Sequence, residues 1–125
     1  MPSATGEKLW IIPDGYIPEF SSGTLTSHES ICVLNTSSED AHITITIFFE
    51  DRPPLEDIQE MVAGRRTKHI RTSSLATKEG TSIPLGVPYA IEVQSNIPII
   101  VQYSRLDTTQ AENALMSVIA YPIKS

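Results

Sequence analysis

Three histidines, a single cysteine and one dense run of basic residues are the groups in this sequence with the greatest capacity for chemistry. The run is Arg65-Arg66-Thr67-Lys68-His69-Ile70-Arg71, and it holds four of the nine Lys and Arg residues of the chain. On an extended segment, side chains alternate between faces. Arg65, Thr67, His69 and Arg71 then project one way, and Arg66, Lys68 and Ile70 the other. Such a strip suits an anion (a phosphate, a carboxylate or an acidic protein tail), because guanidinium and ammonium groups form charge-assisted hydrogen bonds with it. It suits an edge strand equally well, where charge blocks sheet-to-sheet aggregation.

His28, His42 and His69 raise the question of a metal, with Glu29 and Asp40 near them in the chain. Zinc and iron sites need two or three converging ligands, often closely spaced on one element. Each histidine here stands on its own segment and no HxH or HxxxH pair occurs, so the residues read as hydrogen-bonded or solvated and no metal is expected. Ser27-His28-Glu29 has the letters of a nucleophilic relay, but neighbours on a strand point to opposite faces and cannot pass a proton. Cys32, between Ile31 and Val33, has the setting of an ordinary apolar cysteine. The carboxylate pairs Glu39-Asp40, Glu50-Asp51 and Glu56-Asp57 adjoin turns and read as solvated. There is no phosphate-cradling glycine loop and no dinucleotide fingerprint. The reading is a protein that works by binding, without catalytic residues or a cofactor.

The elements that must position these groups are strands. Nine prolines and six glycines are spread along the chain, the punctuation of many short extended segments. From Ala41 to Phe49, Ile43, Ile45, Ile47 and Phe49 alternate with His42, Thr44, Thr46 and Phe48, a period of two rich in β-branched residues. Further strands are expected at Lys8–Ile12, Ser30–Asn35, Ile58–Ala63, Arg66–Arg71, Tyr89–Gln94, Ile99–Ser104 and Leu115–Tyr121, with a turn at Ser95-Asn96-Ile97-Pro98. Leu55–Met61 and Thr108–Leu115 compete as short helices. The sum is an all-β fold with little helix: a single-domain antiparallel β-sandwich of seven or eight strands over residues 1–125, with 1–6 and 123–125 mobile.

At 125 residues the chain is long enough to bury a core without staples. A formal net charge of −6 argues against a general nucleic-acid coat, and one cysteine allows no intrachain disulfide. The first residues lack the pattern of a secretory signal, and the longest apolar runs are far below the roughly twenty residues that span a bilayer. A cytoplasmic location is expected. Near the end of the chain, Gln94, Asn96, Gln102 and the Arg105–Asp107 pair follow or flank apolar runs, as polar groups do at a shallow cleft or a subunit interface.

Several stretches together carry a resemblance. They are Gly15-Tyr16-Ile17-Pro18, Ser27-His28-Glu29, Cys32-Val33-Leu34-Asn35, Glu39-Asp40-Ala41-His42, Arg65-Arg66-Thr67-Lys68-His69, Gln94-Ser95-Asn96, Arg105-Leu106-Asp107 and Gln110-Ala111-Glu112-Asn113-Ala114-Leu115. In this order they cover nearly the whole chain, and the sequence resembles the Anabaena sensory rhodopsin transducer family. The resemblance implies a β-sandwich that forms a homotetramer and binds the cytoplasmic side of a seven-helix, retinal-containing sensory rhodopsin to relay its state. It also brings two other partner classes: a small carbohydrate-like or anionic ligand in members without a rhodopsin, and DNA. The residues it selects for partner or ligand contact are His28, Glu29, His42, Arg65, Arg66, Lys68, His69, Gln94, Asn96, Arg105 and Asp107.

Overall fold

A computed structural model of the chain describes residues 5–19, 28–107 and 114–124. These residues form eight strands in chain order: β1 (Glu7–Gly15), β2 (His28–Asn35), β3 (Ala41–Phe49), β4 (Leu55–Val62), β5 (Arg66–Arg71), β6 (Tyr89–Asp107), β7 (Ala114–Ile119) and β8 (Tyr121–Ile123). A 3-10 turn at Thr72–Ser74 is the sole helical element among the described residues. All pairings are antiparallel, in two sheets, one ordered β4-β3-β6-β1-β8 and the other β5-β2-β6-β7.

The two sheets share β6. Its first half pairs with β3 and β1, and its second half, from Ile100, pairs with β2 and β7. The expected turn at Ser95-Asn96-Ile97-Pro98 is instead a corner inside one 19-residue strand. The corner is visible as a register shift: Leu9 faces Gln94, while Glu7, two residues earlier, faces Ile99. The residues chosen for turning therefore bend a strand from one sheet into the other. Proline is tolerated there because the ladder is interrupted at the bulge.

Period-two patterning decides which faces meet. Ile43, Ile45 and Ile47 of β3, Ile91 and Val93 of β6 and Ile58 and Val62 of β4 are buried from one sheet. Ile31 and Val33 of β2, Ile70 of β5 and Val101 and Tyr103 of β6 are buried from the other. Trp10 on β1 joins this core, its indole N–H donating to the carbonyls of Glu7 (2.9 Å) and Ile99 (3.0 Å). Lys68 ties the sheet edges together by donating to Glu60 Oε1 at 3.0 Å and to the Met61 carbonyl at 3.2 Å.

β4 is where a helix competed. Leu55 faces Ile47 while Ile58 faces Ile45, so one extra residue is accommodated, with Asp57 at φ 59°. The bulge shifts the buried positions to Ile58 and Val62 with Leu55 partly covered, a spacing that imitates a helical face. The other competing helix, Thr108–Leu115, falls largely outside the described residues, and Ala114 and Leu115 open β7. The expected strand Leu115–Tyr121 is divided at Ala120, and Ile123, expected in a mobile tail, pairs with Leu9.

One end of the sandwich is closed by Asn35. Its Nδ2 donates to the carbonyls of Glu39 (2.7 Å), Val62 (3.1 Å) and Ala63 (3.3 Å), and its Oδ1 accepts from Ser37 N–H and the Ser37 hydroxyl. Gly64 lies so close beneath this loop that an added Cβ would stand 2.4 Å from the Ser38 carbonyl oxygen.

Candidate functional site

The residues selected from the sequence, His28 apart, separate into three places. The first is a buried polar network that joins Tyr89 at the start of β6 to Tyr103 and Arg105 near its end. Glu29 faces inward from β2, opposite Arg105 of β6, and is only 1% exposed. Its Oε2 accepts from Arg105 Nε at 2.7 Å and from the Tyr16 backbone N–H at 2.8 Å, and its Oε1 accepts from the Tyr89 hydroxyl. Tyr89 also pairs with the Thr72 hydroxyl at 3.0 Å, and Arg105 Nε reaches the Tyr103 hydroxyl at 3.1 Å. Gly15 makes the convergence possible, since a Cβ there would lie 2.6 Å from the Tyr89 ring.

Burial, the Glu29 charge and the Glu29 hydrogen bond drive the Tyr89 phenol far above its ordinary pKa. Tyr103 is raised for the same reasons, burial foremost. Burial alone would lower the pKa of Arg105, but its contacts with Tyr103 and Glu29 outweigh that and hold it raised. A carboxylate whose two oxygens accept three donors has little left to offer a ligand. Glu29 and Arg105 thus clamp the segment after β1 to both sheets. The sequence paired Arg105 with Asp107; the partner it takes is Glu29, with Asp14 at 3.9 Å, while the Asp107 side chain lies outside the described residues. The roles of Tyr89, Tyr103 and Thr72 in this network are not legible in the sequence, because they depend on contacts spanning up to 60 residues.

The second place is the outer face of the β4–β3–β6–β1 sheet. His42 and Thr44 of β3 and Gln94, Ser95 and Asn96 of β6 line an open depression of about 370 Å³. The His42 N–H donates to Asn96 Oδ1 at 2.7 Å, and Gln59 Nε2 donates to Thr44 Oγ1 at 3.3 Å. Its lining carries hydrogen-bonding groups and no Asp, Glu, Lys or Arg side chain.

The third place is the edge strand β5. Arg65 precedes it in a turn at φ 57°, and the alternation expected from the sequence holds from Arg66 onward. Lys68 is committed to Glu60, and Arg66 donates to the Arg65 carbonyl at 3.1 Å. His69 faces outward beside Cys32 and Gln102, in a shallow depression of about 340 Å³ floored by Leu34, Ile100 and Ile119. Burial pushes the Cys32 thiol pKa up, away from the reactive thiolate. His28 lies at the start of β2 in register with Leu106, apart from the other histidines. No group of three His, Cys, Asp or Glu side chains among the described residues converges as a metal site.

A third depression, lined by Pro13, Phe48, Pro88 and their neighbours, contains none of the residues selected from the sequence.

The architecture is thus that of a β-sandwich offering several shallow surfaces around a saturated polar core. The chain belongs to the Anabaena sensory rhodopsin transducer family, whose profile matches residues 5–122. The solved structure of Anabaena sensory rhodopsin transducer is 39% identical and superposes with a TM-score of 0.74, covering 82% of this chain and 99% of that one. The crystal structure of Thermotoga maritima 1070 is 38% identical with a TM-score of 0.82, covering 95% of this chain and 97% of that one. No curated protein sequence matches the chain. No helix among the described residues is long and apolar enough to cross a membrane.

Proposed function

We propose that the protein is a soluble cytoplasmic signalling adaptor that binds the cytoplasmic face of a seven-helix sensory rhodopsin and relays its state. The carrying observation is the family match, which runs through nearly the whole chain and preserves the sandwich of the solved transducer. A relay requires that affinity differ between receptor states, because a partner shifts an equilibrium only by its differential affinity. The experiment is a titration of the protein onto photoreceptor held in lipid nanodiscs, in the dark and under illumination. A tenfold difference in Kd, about 1.4 kcal/mol, is ample for signalling. Equal affinity in both states refutes the relay.

The adaptor acts as a homotetramer in this reading. The charged edge strand β5 is protected against further pairing, whereas the described side chains of the opposite edge, β7, are Met116, Ser117, Val118 and Ile119. Ile119 is 63% exposed and Tyr121 67%, an apolar margin that a second copy would cover.

A second reading, a module for a small carbohydrate-like or anionic ligand, draws on the uncharged hydrogen-bonding depression at His42, Gln94 and Asn96. A ligand present at a hundred times its Kd stabilises the protein by about 2.7 kcal/mol. A thermal-shift screen against sugars and organic acids tests this, and silence across it removes the reading.

A further inference from the structure

The depression at the Phe48 end of the sandwich combines two surfaces that rarely suit the same small ligand. Phe48 of β3, Ala90 of β6 and Pro13 of β1 form a row on the outer face, extended by Pro88, around a volume of about 280 Å³. Phe48 is 44% exposed although it is one of the largest apolar side chains in the chain. Two carboxylates, Asp14 and Glu50, stand on the rim of this apolar floor. An apolar floor with an acidic rim matches a side chain built the same way. Lysine and arginine carry an aliphatic stem that covers hydrocarbon and a cationic head that seeks carboxylate.

The molecule already shows this chemistry at the groove's shoulder. Arg52 lies 5.5 Å from the centroid of the Phe49 ring and is held in place by Asp51 at 3.0 Å. A second cation, Arg105, lies 3.9 Å from Asp14, but its Nε is taken by Glu29 and the Asp14 side chain remains 83% exposed. Asp14 is therefore open to a second cation. The chain's net charge of −6 attracts the same class of partner and repels anions.

We propose that this groove docks an extended, Lys- or Arg-bearing segment of a protein partner, with one cationic side chain lying across Phe48 and its head group between Asp14 and Glu50. The identity of that partner rests on the adaptor reading. Cytoplasmic loops of helical membrane proteins are enriched in Lys and Arg, so a photoreceptor's inner face offers such segments. The groove itself is testable without any receptor.

The probe is a short dye-labelled peptide of alternating Arg and Ser, titrated by fluorescence anisotropy at low salt. Saturable binding is expected, with no binding of the matching Glu–Ser peptide. The double variant D14N/E50Q should weaken it roughly four- to twenty-five-fold, since exposed ion pairs each shift affinity by roughly two- to fivefold. E39Q/E79Q removes the same net charge from exposed positions outside the groove lining and should change affinity less than about twofold. F48A should weaken binding roughly fivefold by removing the platform under the cation. R52A, which deletes a rival cation, should tighten it. Equal losses in D14N/E50Q and E39Q/E79Q overturn the proposal, because binding then follows bulk charge. So does an F48A variant that melts like the parent and binds as tightly. Free spermidine binding as tightly as the peptide overturns the assignment to a peptide segment. If the peptide binds as expected while the photoreceptor does not, the groove stands and the adaptor reading fails.

Discussion

Removing the Glu29 carboxylate tests whether the buried network clamps the fold. Glu29→Ala deletes the acceptor for Arg105 Nε at 2.7 Å, for the Tyr16 N–H at 2.8 Å and for the Tyr89 hydroxyl. Breaking a buried ion pair by removing one partner costs about 3–5 kcal/mol. Arg105 is 26% exposed and can turn toward Asp14 and water, which places the expected loss near the lower end, about 3 kcal/mol. For a domain of this size that is a fall in Tm of roughly 10 °C. Glu29→Gln should cost less, about 1–2 kcal/mol, for a specific reason. The amide oxygen can keep Arg105 and Tyr16, while its NH2 turns to Tyr89, whose hydroxyl then accepts from it and donates to Thr72 Oγ1 at 3.0 Å. What remains lost is the charge opposite Arg105. The assay is urea denaturation at fixed protein concentration, followed by the fluorescence of Trp10, the only tryptophan and a buried one. A loss under about 1 kcal/mol for Glu29→Ala, or a Gln variant as damaged as the Ala variant, would falsify the clamp.

Ile45→Asp places an unpaired charge at a fully buried position and should leave no cooperative thermal transition; a variant melting like the parent would show that the inward face of β3 is misassigned. If the proposed homotetramer forms through β7, Ile119→Lys, at an exposed site on that strand, should leave the circular dichroism spectrum intact and reduce the mass measured by light scattering, and an unchanged mass would refute that interface. Tyr89 and Tyr103 have folded pKa values above the unfolded value of about 10. Above that pH the unfolded chain sheds protons that the folded protein keeps, so stability is full below about pH 10 and is lost progressively above it. Tyr89→Phe should flatten that loss, and phenolate absorbance should jump on unfolding in alkaline urea; a smooth native titration of every tyrosine near pH 10 would contradict the network. At neutral pH the Cys32 thiol, raised by burial, should react with a thiol reagent more slowly than a free thiol, and prompt reaction would mean that the outer face around it is more open than described.

Alternation made most of the fold legible. Ala41–Phe49 and Arg66–Arg71 appear with the bounds read from the sequence, and the first keeps a period of two along its length. β4 was ambiguous because a bulge at Asp57 converts that period locally into helix-like spacing. β6 was cut in two because Asn96 and Pro98 carry turn chemistry, while the geometry they serve is a corner between sheets. The candidate surfaces were less legible. Composition can mark His42, Gln94 and Asn96 as polar, but only register brings β3 and β6 side by side. The Phe48 groove left no mark at all. Phe48, Pro13 and Pro88 are ordinary strand-end residues until antiparallel pairing places β1, β3 and β6 in one row.

The sharing of β6 also dictates an order of assembly. β1, β2 and β3 each find a neighbour in β6, which begins some 40 residues after β3 ends. As the chain leaves the ribosome, the β3–β4 hairpin and the β2–β5 pair are the strand pairings among the described residues that can form beforehand. Neither is a sheet of three strands, the size at which a β-structure begins to hold by itself. The apolar faces of Ile43, Ile45 and Ile31 must therefore wait uncovered until Tyr89–Asp107 emerges and supplies the strand that both sheets share. Synthesis pauses just before that strand would prolong the period of aggregation risk, and pauses after it would not.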